Sequence, residues 1–254
     1  MDFSILLTWD GITYLVILTL LEVVLGIDNI IFISISTDRL PEKQRRSARN
    51  LGLILALVAR LLLLSMVAWL MQLTDPIFTL FSKDFSAQSI VLLLGGLFLI
   101  WKSTTEMHHS VSGKHEEESK GKVTLSSVIT QIVLIDIVFS FDSIISAIGM
   151  TNDLHKETGK DPMIIIYVAV IISMIVMLIF ARQISEFISN RPTIKMLALS
   201  FLVAIGVILV AEAFGEHIPK GYIYFALVYS LLVEILNIRM RNNRIKRKNE
   251  SRGS

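Results

Sequence analysis

The charges of this chain avoid more than half of its length. Seven windows, 11–35, 51–72, 88–101, 124–149, 163–180, 197–213 and 221–238, hold 140 of the 254 residues but only seven of the 46 charged side chains. A helix that crosses a bilayer needs about 20 mostly apolar residues. Stretches this apolar, repeated this often, do not belong to a soluble globular domain. They predict an all-α membrane protein with seven transmembrane helices, and no strands are expected. The overall composition agrees, with 53% apolar and 18% charged residues against about 45–50% and 25% in soluble domains.

The chain has no cysteine. That excludes disulfide scaffolds, thiolate metal sites, iron–sulfur clusters and cysteine nucleophiles. Met1 to Asp10 carries no basic residue ahead of the first apolar run, so it does not read as a cleavable signal peptide. The net charge of +2 averages two differently charged faces and identifies no partner.

Orientation follows from the lysines and arginines, which accumulate on the cytoplasmic side of membrane proteins. With the N-terminus outside, the inner segments 36–50, 102–123, 181–196 and 239–254 carry 19 basic residues. The outer segments carry only Lys83, Lys156, Lys160 and Lys220, and Arg60 lies inside a span. The expected arrangement is a multi-pass protein of the cell membrane, N-terminus outside and C-terminus cytoplasmic. The third window reaches spanning length, from about Ser86 to Thr104, only if Lys102 and its neighbours snorkel. The polar stretch that follows reads as a flexible linker. The predicted organisation is a first three-helix repeat over 1–104, a cytoplasmic linker over 105–123 and a second three-helix repeat over 124–213. A seventh span within 214–238 and a basic tail over 239–254 complete it.

The two halves share a pattern. The first span reads EVVLGIDNI from Glu22 to Ile30, and the fourth reads DIVFSFDSI from Asp136 to Ile144. Each has an acid, five residues, an aspartate, a small polar residue and isoleucine, at a constant offset of 114. An odd number of spans separates the copies, so they run in opposite directions. That is the signature of an inverted repeat, in which transporters place binding sites near the bilayer midplane.

Glu22 and Asp136 lie near the middle of their windows. An intramembrane carboxylate costs about 2.5–3.5 kcal/mol on insertion scales. Four of them, Glu22, Asp28, Asp136 and Asp142, require protons, basic partners or a bound cation. Two readings compete: a cation-binding site, or acids that join helices through hydrogen bonds. Acids six residues apart sit about 120° apart on an ideal helix. Either Gly26 lets the first helix unwind locally, or Glu22 and Asp136 form one shared site with Asp28 and Asp142 as inner and outer steps. Asn29, Ser140 and Ser143 add neutral oxygens. Such hard donors suit Mg, Ca or Mn rather than copper.

Arg60 is a candidate partner that keeps the site from becoming too negative, or else it snorkels. Glu212 and Glu234, near the ends of the sixth and seventh spans, are candidate pathway ligands or proton carriers, or merely wetted acids. His108, His109 and His115 with Glu116 to Glu118 read as a solvated linker in preference to a weak metal trap. The basic tail is an anchor at anionic lipid, and nucleic acid is not an expected partner.

The paired motifs resemble the TerC family of integral membrane proteins, named for tellurium resistance. Glu22, Gly26, Ile27, Asp28 and Asn29 carry the likeness in the first half, and Asp136, Phe139, Ser140, Asp142 and Ser143 in the second. The stretch from Pro219 to Asn237 looks like the family's last span. The resemblance covers roughly residues 10–240. It implies a seven-span fold and, for several members, manganese export with a role in metal supply to exported enzymes. Some members append a soluble cytoplasmic module after the last span, and none is expected here.

The expected function is export of a divalent cation, Mn²⁺ first, by alternating access between the halves and with proton antiport as the natural coupling. The partners are then the metal ion and the lipid bilayer, with no resident cofactor and no enzymatic activity. A membrane-embedded hydrolase is the alternative from another class. Against it, the sequence has no H-E-x-x-H pattern and no histidine inside a span, His217 falling in the last outer loop. A third reading is a non-transporting partner in membrane-protein assembly. Nothing in a carboxylate site explains tellurite resistance.

Overall fold

A computed structural model describes residues 3–66, 76–80, 83–112, 124–158, 162–216, 218–219 and 221–250. A short 3₁₀ turn, Phe3–Leu7, leads into α1, Trp9–Asp38, and α2 follows at Glu42–Ser65. After a hairpin come α3, Ala87–Ser112, α4, Leu125–Thr158, and α5, Met163–Ser189. The chain continues with α6, Pro192–Ala213, and α7, Gly221–Glu250. All seven α-helices contain a stretch long and apolar enough to cross a membrane. The third qualifies on length and apolar composition, and its Lys102 pairs with Glu106 one turn on at 3.4 Å.

The helix boundaries follow local chemistry. Thr8 caps α1, its hydroxyl accepting from the Gly11 amide at 3.0 Å. Proline stands at the N-cap of α2 (Pro41) and of α5 (Pro162) and at the first position of α6 (Pro192). These are places where its missing N–H costs nothing. At the end of α6, Gly215 takes φ 78°. Its amide donates to Glu212 O, and the Glu216 amide donates to Ala211 O. This paired closure satisfies carbonyls that a helix end otherwise orphans, and it needs the left-handed backbone that glycine adopts freely.

The expectation of no strands is corrected. β1, Pro76–Leu80, and β2, Lys83–Ser86, form an antiparallel hairpin with Phe78 opposite Phe85 and Leu80 opposite Lys83. The segment is too short to span, and its Ile77, Phe78, Thr79 and Phe85 favour a pleated strand. Phe85 then packs edge-on against Phe214 at the end of α6, with ring centroids 5.5 Å apart. Helix α3 runs on to Ser112, so residues 105–112 of the expected linker, with His108 and His109, are helical. His115 and Glu116 to Glu118 lie outside the described residues.

The helices pack across the two halves of the chain: α1 on α5, α2 on α4 and α3 on α6, with α1 also touching α4 and α2 touching α5. Helix α1 is closely enclosed over its second half, every residue from Asp28 to Thr37 being buried. Gly26 does not unwind it. The helix is continuous, and the missing side chain makes room for Met177 of α5. By contrast, the apolar stretch of α7 has no buried residue. Its Tyr222, Phe225, Val228, Tyr229, Leu232 and Leu236 are exposed, as lipid-facing side chains are.

Helices α3 and α6 cross backbone to backbone. A Cβ built on Gly96 would meet Gly206 O at 2.7 Å, and one built on Gly206 would meet Gly96 O at 2.9 Å. Apolar lipid provides no hydrophobic drive between helices, so such close contact carries much of the association. Gly96→Leu and Gly206→Leu should therefore each destabilise the purified protein by about 1–3 kcal/mol, the usual range for overpacking. Gly149→Ala, where a Cβ meets nothing within 4 Å, should leave the melting temperature unchanged or raise it. Thermal unfolding of the three variants in detergent decides the matter.

Candidate polar site between α1, α2 and α4

Arg60 sits on α2 about 27 Å along the axis from its first residue, at 1.5 Å per residue, and is 2% exposed. At that depth a cation must find partners within the protein, and it finds three. Nη1 donates to Glu22 Oε2 of α1 at 2.6 Å, and Nη2 donates to Asp136 Oδ1 of α4 at 3.0 Å. Nε donates to Ser140 Oγ at 2.9 Å, and that hydroxyl donates on to Asp136 Oδ2 at 3.1 Å. The planar guanidinium suits this work, since its donors leave in a fixed fork. Glu22 and Asp136, the corresponding acids of the two sequence motifs, thus meet on one cation.

The neighbours follow helical spacing. Asn29 is seven residues from Glu22, two turns on the same face, and its Nδ2 donates to Asp136 Oδ1 at 2.6 Å. Ser140 is one turn beyond Asp136 and joins the network, whereas Ser143 donates only to the Ser140 carbonyl, at 3.4 Å. Asp28, rotated about 120° from Glu22, faces away from this group. Its Oδ2 accepts from the Tyr224 hydroxyl of α7 at 3.0 Å. Asp142 follows Asp136 on α4, but its side chain lies outside those described.

Two buried oxygens of the network, Glu22 Oε1 and Asn29 Oδ1, have no hydrogen-bond donor. Among the described residues, no group of three or more acids and histidines is close enough to hold a metal ion. What the arrangement does in this conformation is join two carboxylates from different helices through one arginine in an apolar setting. Glu212 stands apart, on the last turns of α6. Glu234, on α7, accepts from Asn237 Nδ2 of the same helix at 3.5 Å.

Sequence reasoning missed Tyr224, whose only signal was a phenol within an apolar run. It also missed the ties at the basic-rich end of the bundle. Ser34 Oγ donates to Ser185 Oγ at 3.0 Å, joining α1 to α5. Asp38 accepts from Ser189 Oγ at 2.8 Å and from Lys195 Nζ at 3.3 Å.

Comparison with known proteins covers nearly the whole chain. The family described as "Integral membrane protein TerC family" matches residues 7–250. The chain is 51% identical over 229 residues to a UPF0053 protein of Haemophilus influenzae, covering 89% of this chain and 93% of that one. It is 48% identical over 227 residues to the UPF0053 inner membrane protein YgdQ of Escherichia coli, covering 89% and 92%. To the UPF0053 inner membrane protein YoaE of Escherichia coli it is 45% identical over 240 residues, 94% of this chain but only 44% of that longer protein. No solved structure matches. The seven apolar helices and the duplicated acidic motif agree with these likenesses: this chain belongs to the TerC family of integral membrane proteins.

Proposed function

We propose that this chain is a membrane transporter that exports a divalent cation, with Mn²⁺ as the expected substrate, through a site built on Glu22, Asp28, Asp136 and Asp142. One observation carries the reading. Glu22 and Asp136 converge on a single guanidinium while Glu22 Oε1 and Asn29 Oδ1 remain buried oxygens without donors. Carboxylate and amide oxygens are the hard ligands that Mn²⁺ takes. In this reading Arg60 and the metal compete for the same two acids. Withdrawal of the arginine exposes the carboxylates to metal, and its return expels the cargo. Protons taken up by acids that have released a metal supply the coupling.

The helix pairing supports an inverted repeat. Exchanging α1, α2 and α3 for α4, α5 and α6 turns the α1–α5 contact into α4–α2. The same exchange leaves α3–α6, α1–α4 and α2–α5 unchanged. A site at the centre of such a pairing is reachable from either side by rocking one half on the other.

A second reading has its own observation. Arg60 already pairs with both acids, as a purely structural ion bridge would. Substitution separates the two. Asp28→Asn, Asp142→Asn, Glu22→Gln and Asp136→Asn should each abolish manganese tolerance in cells at wild-type protein levels, and Glu212→Gln should be milder. The structural reading expects tolerance to persist, because amides still bond across helices. Arg60→Met should destabilise by about 3–5 kcal/mol under either reading, since it strands buried carboxylates.

Metal identity is checked on purified protein. Mn²⁺ should bind in preference to Cu⁺, and its affinity should fall on acidification as carboxylates protonate. Tight, acid-insensitive binding of Cu⁺ would sink the oxygen-ligand assignment.

Export also requires a defined orientation, N-terminus outside and C-terminus cytoplasmic in the cell membrane. Reporter tags at residue 2 and after residue 254 should lie on opposite sides, the second one inside. Two cytoplasmic tags would mean that one of the seven helices does not cross.

A further inference from the structure

A second polar feature lies away from the acids, where the last turns of α1 and α5 meet the first turns of α2. There the helices enclose a cavity of about 320 Å³. Arg45, Arg46, Arg49 and Arg182 line it together with Asp38, Glu42 and Glu186.

Most of these charges are already committed. Arg45 Nε donates to Leu40 O at 2.9 Å and its Nη2 to Asp38 O at 2.8 Å, closing the end of α1. Arg182 Nε pairs with Glu186 Oε1 at 2.7 Å. Asp38 is held by Ser189 and Lys195. Among the described residues, Arg46, Arg49 and Glu42 form no ion pair; the charge of Glu186 acts on Arg49, but Arg182 and Arg46 oppose it. Arg49 is 7% exposed, and its Nε is buried with no acceptor. Leaving such a donor unmatched carries its full desolvation penalty. The N-terminus of α2 opens onto the same cavity without a side-chain cap, which adds the positive end of a helix dipole.

From this we propose that the cavity binds a phosphate oxyanion, held by Arg46 and Arg49. A guanidinium fork matches two phosphate oxygens, and the Arg49 Nε gains the acceptor it lacks. The cavity sits just past windows 11–35 and 163–180, at the level of lipid head groups and on the side where basic residues gather. A phospholipid head group and a soluble phosphate both offer the required chemistry. The inference does not depend on the transport reading.

The test uses the full chain in neutral detergent and follows thermal unfolding by tryptophan fluorescence. Micelles doped with phosphatidylglycerol, micelles doped with diacylglycerol, and inorganic phosphate against chloride at equal ionic strength are the probes. Stabilisation by phosphatidylglycerol that inorganic phosphate does not compete away identifies a head-group site. Stabilisation by inorganic phosphate itself identifies a soluble anion. In either case Arg46→Gln with Arg49→Gln should raise the half-effective concentration about tenfold, the size of a lost charge-assisted contact. Lys43→Gln, which removes one charge from α2 outside the cavity as Arg46→Gln does inside it, should leave it within about twofold, as exposed changes away from a site do. If burial of Arg49 makes the double variant unstable, Arg46→Gln alone, at an exposed position, should still weaken the effect severalfold. No stabilisation of the wild type by either phosphate source overturns the proposal. So does equal stabilisation of the wild type and the Arg46 variants.

Discussion

A guanidinium held between two carboxylates inside apolar helices is the constraint around which this molecule is arranged. Glu22 and Asp136 come from helices far apart in sequence, and Arg60 pairs with both. The bridge fixes where α1, α2 and α4 cross, because a planar fork with three engaged nitrogens tolerates little rotation. Ser140 and Asn29 then lock the Asp136 carboxylate from two further directions. In water such a triad would contribute little. In lipid, where helices gain nothing from burying apolar surface against one another, polar convergence of this kind decides which helix meets which.

Outside that centre the bundle is held by different means at different depths. Helices α3 and α6 meet through Gly96 and Gly206 with no side chain between them. Toward the basic-rich end, Asp38 gathers a serine and a lysine from α5 and α6, and Glu106 on α3 takes Arg39 from the end of α1. Helix α7 contributes little burial, yet Ile223, Leu227 and Leu231 pack on the core and Tyr224 meets Asp28. The outermost helix therefore has a direct link to one of the four intramembrane acids.

The sequence exposes the spans because charge is expensive in hydrocarbon, and a count of charged residues registers that cost directly. It also marks Arg60, the one basic residue inside a window. What the sequence hides is register. Asn29 reaches Asp136 while Asp28 turns to α7, and only the rotation of α1 against its neighbours determines which does which. Gly26 illustrates the same limit: its missing side chain suggests unwinding, but the reason for it is Met177 on another helix. Strands β1 and β2 are hidden for another reason: runs of four or five residues are too short to stand out beside apolar windows of spanning length.

The order of the bridging residues along the chain bears on biogenesis. A protein threaded into the membrane as it is synthesised presents Glu22 first, then Arg60 with α2, and Asp136 only with α4. An α1–α2 hairpin can bring a counterion to Glu22 at once. Asp136 then arrives at a cation already in place, so the second half of the chain inserts against a template that the first half has built. The reverse order would leave an aspartate and no counterion in the bilayer while the rest of the protein was still being made.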